Sequence, residues 1–346
     1  MSAYNSAAVA AAAAPVNSQA HSNLPVNKFA RASRWRQFSR RARWVALTLI
    51  LGFGVIQILP PRAVWKGSRA FQKTSDGRPL VIAHRGGRAL FPENTLQAFA
   101  GAVRLGVDAL EMDLRLTRDG VLVTCHDADI SRTSDGVGVV RDHTLAELQS
   151  LNFGFHFTNR AGAAPYRAHP ARIATLEELF QQFTNTLMVL ELKDHETDGQ
   201  EAAEKLARLI AKYGRESTVL VASFDEASLD AFRRATGGRV ATSLSTTRAR
   251  RFVIFNLIRL DWFGPVGDAA LQVPLTRSGF ALDRPGLIRA AHARNWAVHY
   301  WTINDAEEMR RLIALGADGI ITDRPDLARQ IAVPAGKPEP AASPAR

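Results

Sequence analysis

Residues 109–127 read ALEMDLRLTRDGVLVTCHD. Two apolar runs, ALEMDLRL and VLVTC, flank the turn-forming TRDG, and short apolar runs bounded by turn residues read as buried strands. Glu111 and Asp113 stand two apart, so both point to one face of their strand. His126 and Asp127 follow the second run directly. The pattern recurs on either side of this stretch: His84 and Arg85 follow LVIA, and Glu191 and Lys193 sit in MVLELK. One such case is compatible with a packing accident. Four in sequence predict a shared rim where strand ends converge, carrying two histidines, three carboxylates and two cations. That inventory suits metal-assisted cleavage of a phosphate ester.

Around these runs, apolar strands alternate with amphipathic helices from Pro79 onward. Strands are predicted over 80–84, 109–114, 120–126, 187–192, 218–223, 239–244, 296–302 and 319–322, with ALQVP at 270–274 competing near 239–283. Helices are predicted over 94–105, 144–150, 175–184, 200–213, 226–235, 284–294 and 305–315. In 200–213, Ala203, Leu206, Ala207, Ile210 and Ala211 recur at helical spacing. About eight strands alternating with helices predict a (β/α)8 TIM barrel over 79–332, the α/β class whose active sites lie at the C-terminal strand ends. Residues 127–173 and 245–268 interrupt the alternation as long excursions, the second containing RARRFVIFNLIRLDWFGP.

The chain has 346 residues, 46% hydrophobic and 22% charged, enough for one large domain with extensions. The single cysteine, Cys125, excludes an intramolecular disulfide framework and a cysteine-rich zinc site; it lies inside an apolar run and reads as packing. Net charge is +11, but Lys28, Arg31, Arg34, Arg36, Arg40, Arg41 and Arg43 supply +7 of it before any acidic residue appears. Everything after Arg43 therefore carries only +4, and nucleic-acid binding by the main domain loses its support.

Residues 1–43 are expected to be a disordered, basic segment. WVALTLILGFGVIQILPP, 44–61, carries no charge and is expected to form a single N-terminal transmembrane helix, with Trp44 and Trp65 at the two interfaces. Its sixteen residues before Pro60 reach roughly 24 Å at about 1.5 Å per residue, slightly short of a hydrocarbon core. The arginines would stay cytoplasmic, placing the catalytic domain on the far, periplasmic or extracytoplasmic side. A cleaved signal peptide and a buried core helix are the rival readings. Residues 62–78 are expected to be a polar linker and 333–346 a disordered tail.

Glu111, Asp113 and Glu191 converging on one barrel mouth would repel one another. A hard divalent cation, Mg²⁺ or Ca²⁺, relieves that, since such ions prefer carboxylate oxygens. The plain alternative is a salt-bridged rim in which Lys193 and Arg85 neutralise the acids. A planar guanidinium at Arg85 suits a phosphate oxygen. His84 and His126 titrate near neutrality, so one can take a proton from a nucleophile while the other protonates a leaving alkoxide; which does which stays open. His143, His156, His169, His195, His292 and His299 lack such surroundings.

AHRGGRALFPENTLQAF, ALEMDLRLTRDGVLVTCHD, TLEELF, LELK, SFD, YWTIND and GADGIITDRPDL together resemble the glycerophosphodiester phosphodiesterase family over roughly residues 80–327. The resemblance implies a TIM-barrel hydrolase, with 127–173 as the family's insertion, that cleaves glycerophosphodiesters to glycerol 3-phosphate and an alcohol. It implies His84 and His126 as the acid/base pair and Glu111, Asp113 and Glu191 as metal ligands. Arg85 and Lys193 become phosphate contacts, Glu93 of PENT a site-organising residue, and Trp301 a pocket-lining aromatic. Two alternatives accompany it. One is a membrane-anchored lysophospholipase D-type enzyme acting on lysophospholipids, with 248–263 touching lipid; the plainer reading of 248–263 is a barrel-covering helix. The other is a non-enzymatic, membrane-tethered module that binds phospholipid or glycerophosphodiester.

Overall fold

A computed structural model describes residues 28–59 and 65–332. The chain divides into two units, one ending at Ile56 and the other beginning at Gln57. Helix α1, Lys28–Ile58, falls in the first unit except for its last two residues. Residues 28–43, expected to be disordered, are helical, while 1–27 lie outside the described residues. Among the described residues no helix is long and apolar enough to cross a membrane. The transmembrane span expected over 44–61 is therefore not supported. The uncharged part of α1 covers only 44–58, about 22 Å at 1.5 Å per residue, against the roughly 30 Å a hydrocarbon core requires. The placement of the catalytic domain across a membrane loses the feature it rested on.

The second unit is the barrel. Its strands are β1 Leu80–Ala83, β2 Ala109–Leu116, β3 Leu122–Thr124, β4 Leu187–Leu192, β5 Val219–Ala222, β6 Ala241–Thr242, β7 Ala270–Val273, β8 Thr276–Arg277, β9 Phe280–Ala281, β10 Ala297–Tyr300 and β11 Gly319–Thr322. Eight run parallel in the order β6, β5, β4, β2, β1, β11, β10, β7. A parallel bridge between Ser243 and Ala270 joins the two ends of that order. The helices α2 Leu96–Arg104, α3 Leu145–Gln149, α4 Leu176–Gln182, α5 Glu196–Lys212, α6 Glu226–Thr236, α7 Thr246–Leu257, α8 Pro285–His292, α9 Ala306–Leu315 and α10 Pro325–Ala332 follow in chain order.

The count of eight is as expected, but one member differs. The 120–126 run is not a barrel strand: β3 pairs antiparallel with β2. Only the short turn 117–121 separates the two, and a parallel pairing needs a crossover of about a dozen residues or more. The eighth strand is β7, from the competing ALQVP run. Helix α10 lies where none was expected, while α7, within the excursion 245–268, matches the barrel-covering helix that is one reading of 248–263.

The 62–78 segment is no linker over its described part. Phe71 is buried in the cluster formed by Leu80, Ile82, Ala109, Val189, Leu220 and Ile321, and its carbonyl accepts from His299 Nε2 at 2.7 Å. Trp65 is not an interfacial anchor; its backbone N–H donates to Arg294 O at 2.9 Å, and its ring packs on the same cluster. Residues 333–346 lie outside the described residues.

Side-chain alternation along the strands then fixes the site. Ile82, Ala109, Val189, Ala297 and Ile321 all belong to the cluster inside the barrel, whereas Ala83, Leu110, Met112 and Leu190 pack outward against helices. Burial on both faces explains why these strands read as continuous apolar runs. Counting by twos from the inner set reaches His84, Glu111 and Asp113, Glu191 and Lys193, Trp301, and Asp323.

Candidate active site

The strand ends converge as predicted. His84, Arg85, Glu111, His126, Glu191, Lys193 and Trp301 line one cavity of about 860 Å³. Asp113 and Glu93 do not line it but bond the residues that do. Oxygens of Glu111, Asp113 and Glu191 lie within 4.8 Å of one another, and β2 and β4 set Asp113 beside Glu191 in register. Arg85 takes a left-handed φ of 52°, held by its backbone N–H donating to Glu111 Oε2 at 2.7 Å. Gly86 must be glycine: a Cβ there would meet Ala98 Cβ at 2.7 Å, and φ is +80°.

Both cations are paired. Lys193 Nζ lies 2.7 Å from Glu191 Oε1 and 3.1 Å from Asp113 Oδ1. Arg85 Nη1 donates to Glu93 Oε1 at 2.9 Å, and Arg85 Nε lies 3.3 Å from Asp113 Oδ2. The salt-bridged rim is thus part of the site. It does not balance all three acids. Burial alone would raise Asp113, yet Lys193 and Arg85 hold it below the usual carboxylate range. Glu111 is 4% exposed and is pushed up to about 7, by burial first and by the Asp113 charge second. Burial likewise raises Glu191. A buried carboxylate cluster that cannot fully ionise by itself fits a bound hard cation.

Each histidine rests on an aspartate. His84 Nδ1 lies 2.5 Å from Asp323 Oδ1, and His126 Nδ1 lies 2.6 Å from Asp127 Oδ1. A carboxylate only accepts, so Nδ1 carries the proton and Nε2 is left for the cavity. The surroundings then separate the two rings. For His84, burial is outweighed by the Glu111 charge and the Asp323 hydrogen bond, and its pKa is raised. For His126, burial prevails over Asp113 and Asp127, with Arg85 and Lys193 adding to it, and its pKa is lowered. Arg132 also bonds Asp127 and spans to Glu93 Oε1 at 2.7 Å, so Glu93 ties the His126 side of the site to Arg85.

Several site residues were not singled out from the sequence. Asp323 is the most important of them. Burial opposes its ionisation, but the His84 hydrogen bond holds it at about 2. Asn304 Nδ2 donates to its second oxygen at 2.8 Å and Arg88 Nε to the first at 2.9 Å. Asp323 stands directly after the apolar run GIIT, so the rule that found His84 applies to it equally. Asn94 donates to Asp113 Oδ2 at 2.8 Å. Phe224 packs edge-on to Trp301, with ring centroids 5.8 Å apart. His195, expected to lack site surroundings, lines a side pocket of about 320 Å³ with His126 and Phe224. Cys125 is buried, with its thiol pushed up to about 12 by burial, as a packing residue requires.

A parallel barrel with two aspartate-backed histidines beside a carboxylate cluster at its C-terminal mouth fits a hydrolase, and comparison with known proteins narrows it. The glycerophosphoryl diester phosphodiesterase family model matches residues 84–327. The chain is 30% identical over 308 residues to the glycerophosphodiester phosphodiesterase of Bacillus subtilis, covering 84% of this chain and 98% of that protein. It is 32% identical over 252 residues to the enzyme of the same name from Caldanaerobacter subterraneus, covering 72% and 96%. A phosphodiesterase from Oleispira antarctica, solved with its product sn-glycerol-3-phosphate, superposes with a TM-score of 0.59 at 27% identity, over 75% of this chain and 99% of that one. The corresponding domain of a Mycobacterium tuberculosis protein has a TM-score of 0.64 at 23% identity, over 73% and 98%, and supports the fold. This chain belongs to the glycerophosphoryl diester phosphodiesterase family and is a phosphodiesterase. The non-enzymatic alternative falls with that assignment.

Proposed function

We propose that the enzyme hydrolyses glycerophosphodiesters to glycerol 3-phosphate and an alcohol. The observation that carries this reading is the single cavity in which His84 and His126 face Glu111 and Glu191 together with Arg85 and Lys193. Similar named relatives are glycerophosphodiester phosphodiesterases, and the Oleispira enzyme was solved with glycerol 3-phosphate as product. Glu111, Asp113 and Glu191 would hold a divalent cation, Mg²⁺ or Ca²⁺, whose charge polarises a phosphate oxygen and makes the nucleophile more acidic.

The protein's own groups perform the rest. Arg85 and Lys193 offset charge that gathers on the phosphoryl oxygens in the transition state. Trp301 and Phe224 flank the phosphate site and orient the organic part of the substrate. His126, whose lowered pKa keeps it neutral, takes the proton of the nucleophile, either water or the glycerol 2-hydroxyl. His84, whose raised pKa favours its protonated form, gives its Nε2 proton to the departing alkoxide. Asp323 and Asp127 fix the two tautomers. Hydrolysis of glycerophosphocholine by the full chain with added Mg²⁺ or Ca²⁺, read as glycerol 3-phosphate release, tests the reading. No release with either ion would overturn it.

These roles predict a bell-shaped pH profile of kcat/KM, with His126 on the acid limb and His84 on the alkaline limb. Asp323→Asn removes a charge that favours the His84 imidazolium, so the alkaline limb is expected to move to lower pH by about one unit. An alkaline limb that stays in place while kcat falls would assign Asp323 a structural role only.

A further inference from the structure

Arg132 lies in the long excursion 127–173, yet its guanidinium reaches two separate parts of the site. Nη2 donates to Glu93 Oε1 at 2.7 Å and Nη1 to Glu93 Oε2 at 3.1 Å, while Nε donates to Asp127 Oδ2. Each of those carboxylates also holds a group that faces the cavity. Asp127 Oδ1 accepts from His126 Nδ1 at 2.6 Å, and Glu93 Oε1 accepts from Arg85 Nη1 at 2.9 Å. One planar cation therefore joins the partner of His126 to the partner of Arg85. A guanidinium presents donors along two edges of one plane, so it can grip two carboxylates at once in a fixed geometry.

The arm that carries Arg132 is itself fixed by packing. Ile130 is fully buried, in one apolar cluster with Cys125, Val140, Leu148 and Phe153. Its backbone N–H donates to Gly138 O at 2.9 Å, and that of Val140 donates to Ala128 O at 2.8 Å. Ile130 O accepts from the backbone of Ser134 at 3.0 Å and from its hydroxyl at 2.9 Å, closing the turn that contains Arg132. The side chains at stake differ in exposure: Asp127 is 34% exposed and Glu93 11%. Without Arg132, Asp127 is free to turn toward water, and buried Glu93 keeps Arg85 as its one hydrogen-bond donor among the described residues.

We infer that Arg132 is a positioning residue, which orients His126 through Asp127 and Arg85 through Glu93. It does not line the active-site cavity, so it acts only through these two carboxylates. The excursion thereby sets the spacing between the base and a phosphate contact. The inference rests on the phosphodiesterase reading of the site. A displaced base costs turnover and a displaced Arg85 costs phosphate binding, so the two arms can be read separately. Misplacing a reacting group by about 1 Å costs on the order of 10²-fold in rate.

The test measures kcat with glycerophosphocholine and the inhibition constant of glycerol 3-phosphate, for the full chain at saturating divalent cation. Arg132→Gln is expected to lower kcat about 10- to 100-fold and to weaken inhibition about fivefold or more. Asp127→Asn is expected to lower kcat with inhibition little changed, and Glu93→Gln to weaken inhibition. In a chain carrying both Asp127→Asn and Glu93→Gln, adding Arg132→Gln is expected to change neither quantity by more than about twofold, because the charges it acts through are gone. Arg132→Ala is expected to regain turnover with millimolar guanidinium, which can enter at a side chain that is 48% exposed. A lowered melting temperature in Arg132→Gln with both constants unchanged would make the bridge structural only and overturn the inference. A loss in the triple variant as large as that in the otherwise unaltered chain would overturn it too. Absence of turnover in the unaltered chain would instead remove the reading on which it rests.

Discussion

His126→Ala is expected to lower kcat by two to four orders of magnitude with the fold retained, and His84→Ala to do the same. The two losses arise at different steps. His126 is half-buried, and its backbone carbonyl, which accepts from Arg115 at 2.8 and 3.0 Å, is unchanged by the substitution. The variant therefore keeps the loop in place and loses only the base. His84→Ala also strips Asp323 of its closest partner, leaving that buried carboxylate to Arg88 and Asn304. Some loss of stability accompanies it, so thermal unfolding is measured beside activity. A substrate with a more acidic leaving alcohol is expected to restore His84→Ala and not His126→Ala, because only the former lacks the proton donor. Near-normal turnover of the natural type of substrate by either variant would overturn the assignment.

Chelation is expected to abolish activity, with recovery on adding Mg²⁺ or Ca²⁺, and the effect extends to stability and pH. In the metal-free protein Glu111 is raised to about 7. A carboxyl raised in the folded state contributes stability below its unfolded pKa and loses it as pH rises through the folded one. The chelated protein is thus expected to lose on the order of 3 kcal/mol between about pH 4.5 and 7. Cation binding opposes that loss, since the ion favours the ionised carboxylate. Cation affinity should in turn fall about tenfold per pH unit below 7, one proton being displaced. Calorimetric titration of the chelated protein at pH 6 and 8 measures this directly. Equal affinity at the two pH values would show that Glu111 is not a ligand.

The site was more legible in the sequence than the strands that carry it. His84, Glu111, Asp113, Glu191 and Lys193 could be found because a strand places alternate residues on one face, and a charge beyond an apolar run marks where the buried face ends. Asp323 obeys the same rule, and a stricter count by twos from Ile321 reaches it. Register and partners were not legible in this way. The run 120–126 looked like a barrel strand because local apolarity is shared by a barrel strand and an antiparallel hairpin arm. The length of the connecting turn separates the two. The 44–61 run was read by its apolarity, while its length within α1 set the outcome.

By itself, the sequence determined the barrel class, the family and the inventory of acids, bases and cations, because side-chain chemistry and period-two spacing are local properties of the chain. Tertiary structure decided what each group does. It set the charge of Glu111 and the hydrogen bond of Asp323 against His84, and buried His126 near Arg85 and Lys193, and so moved two identical side chains in opposite directions. It paired Lys193 and Arg85 with Asp113 while leaving Glu111 buried with no salt bridge to either of them. It also brought α7 and the β8–β9 hairpin to the same mouth from positions far apart in the chain. Electrostatic fields and cavity walls depend on distances through space, which local spacing along a sequence does not contain.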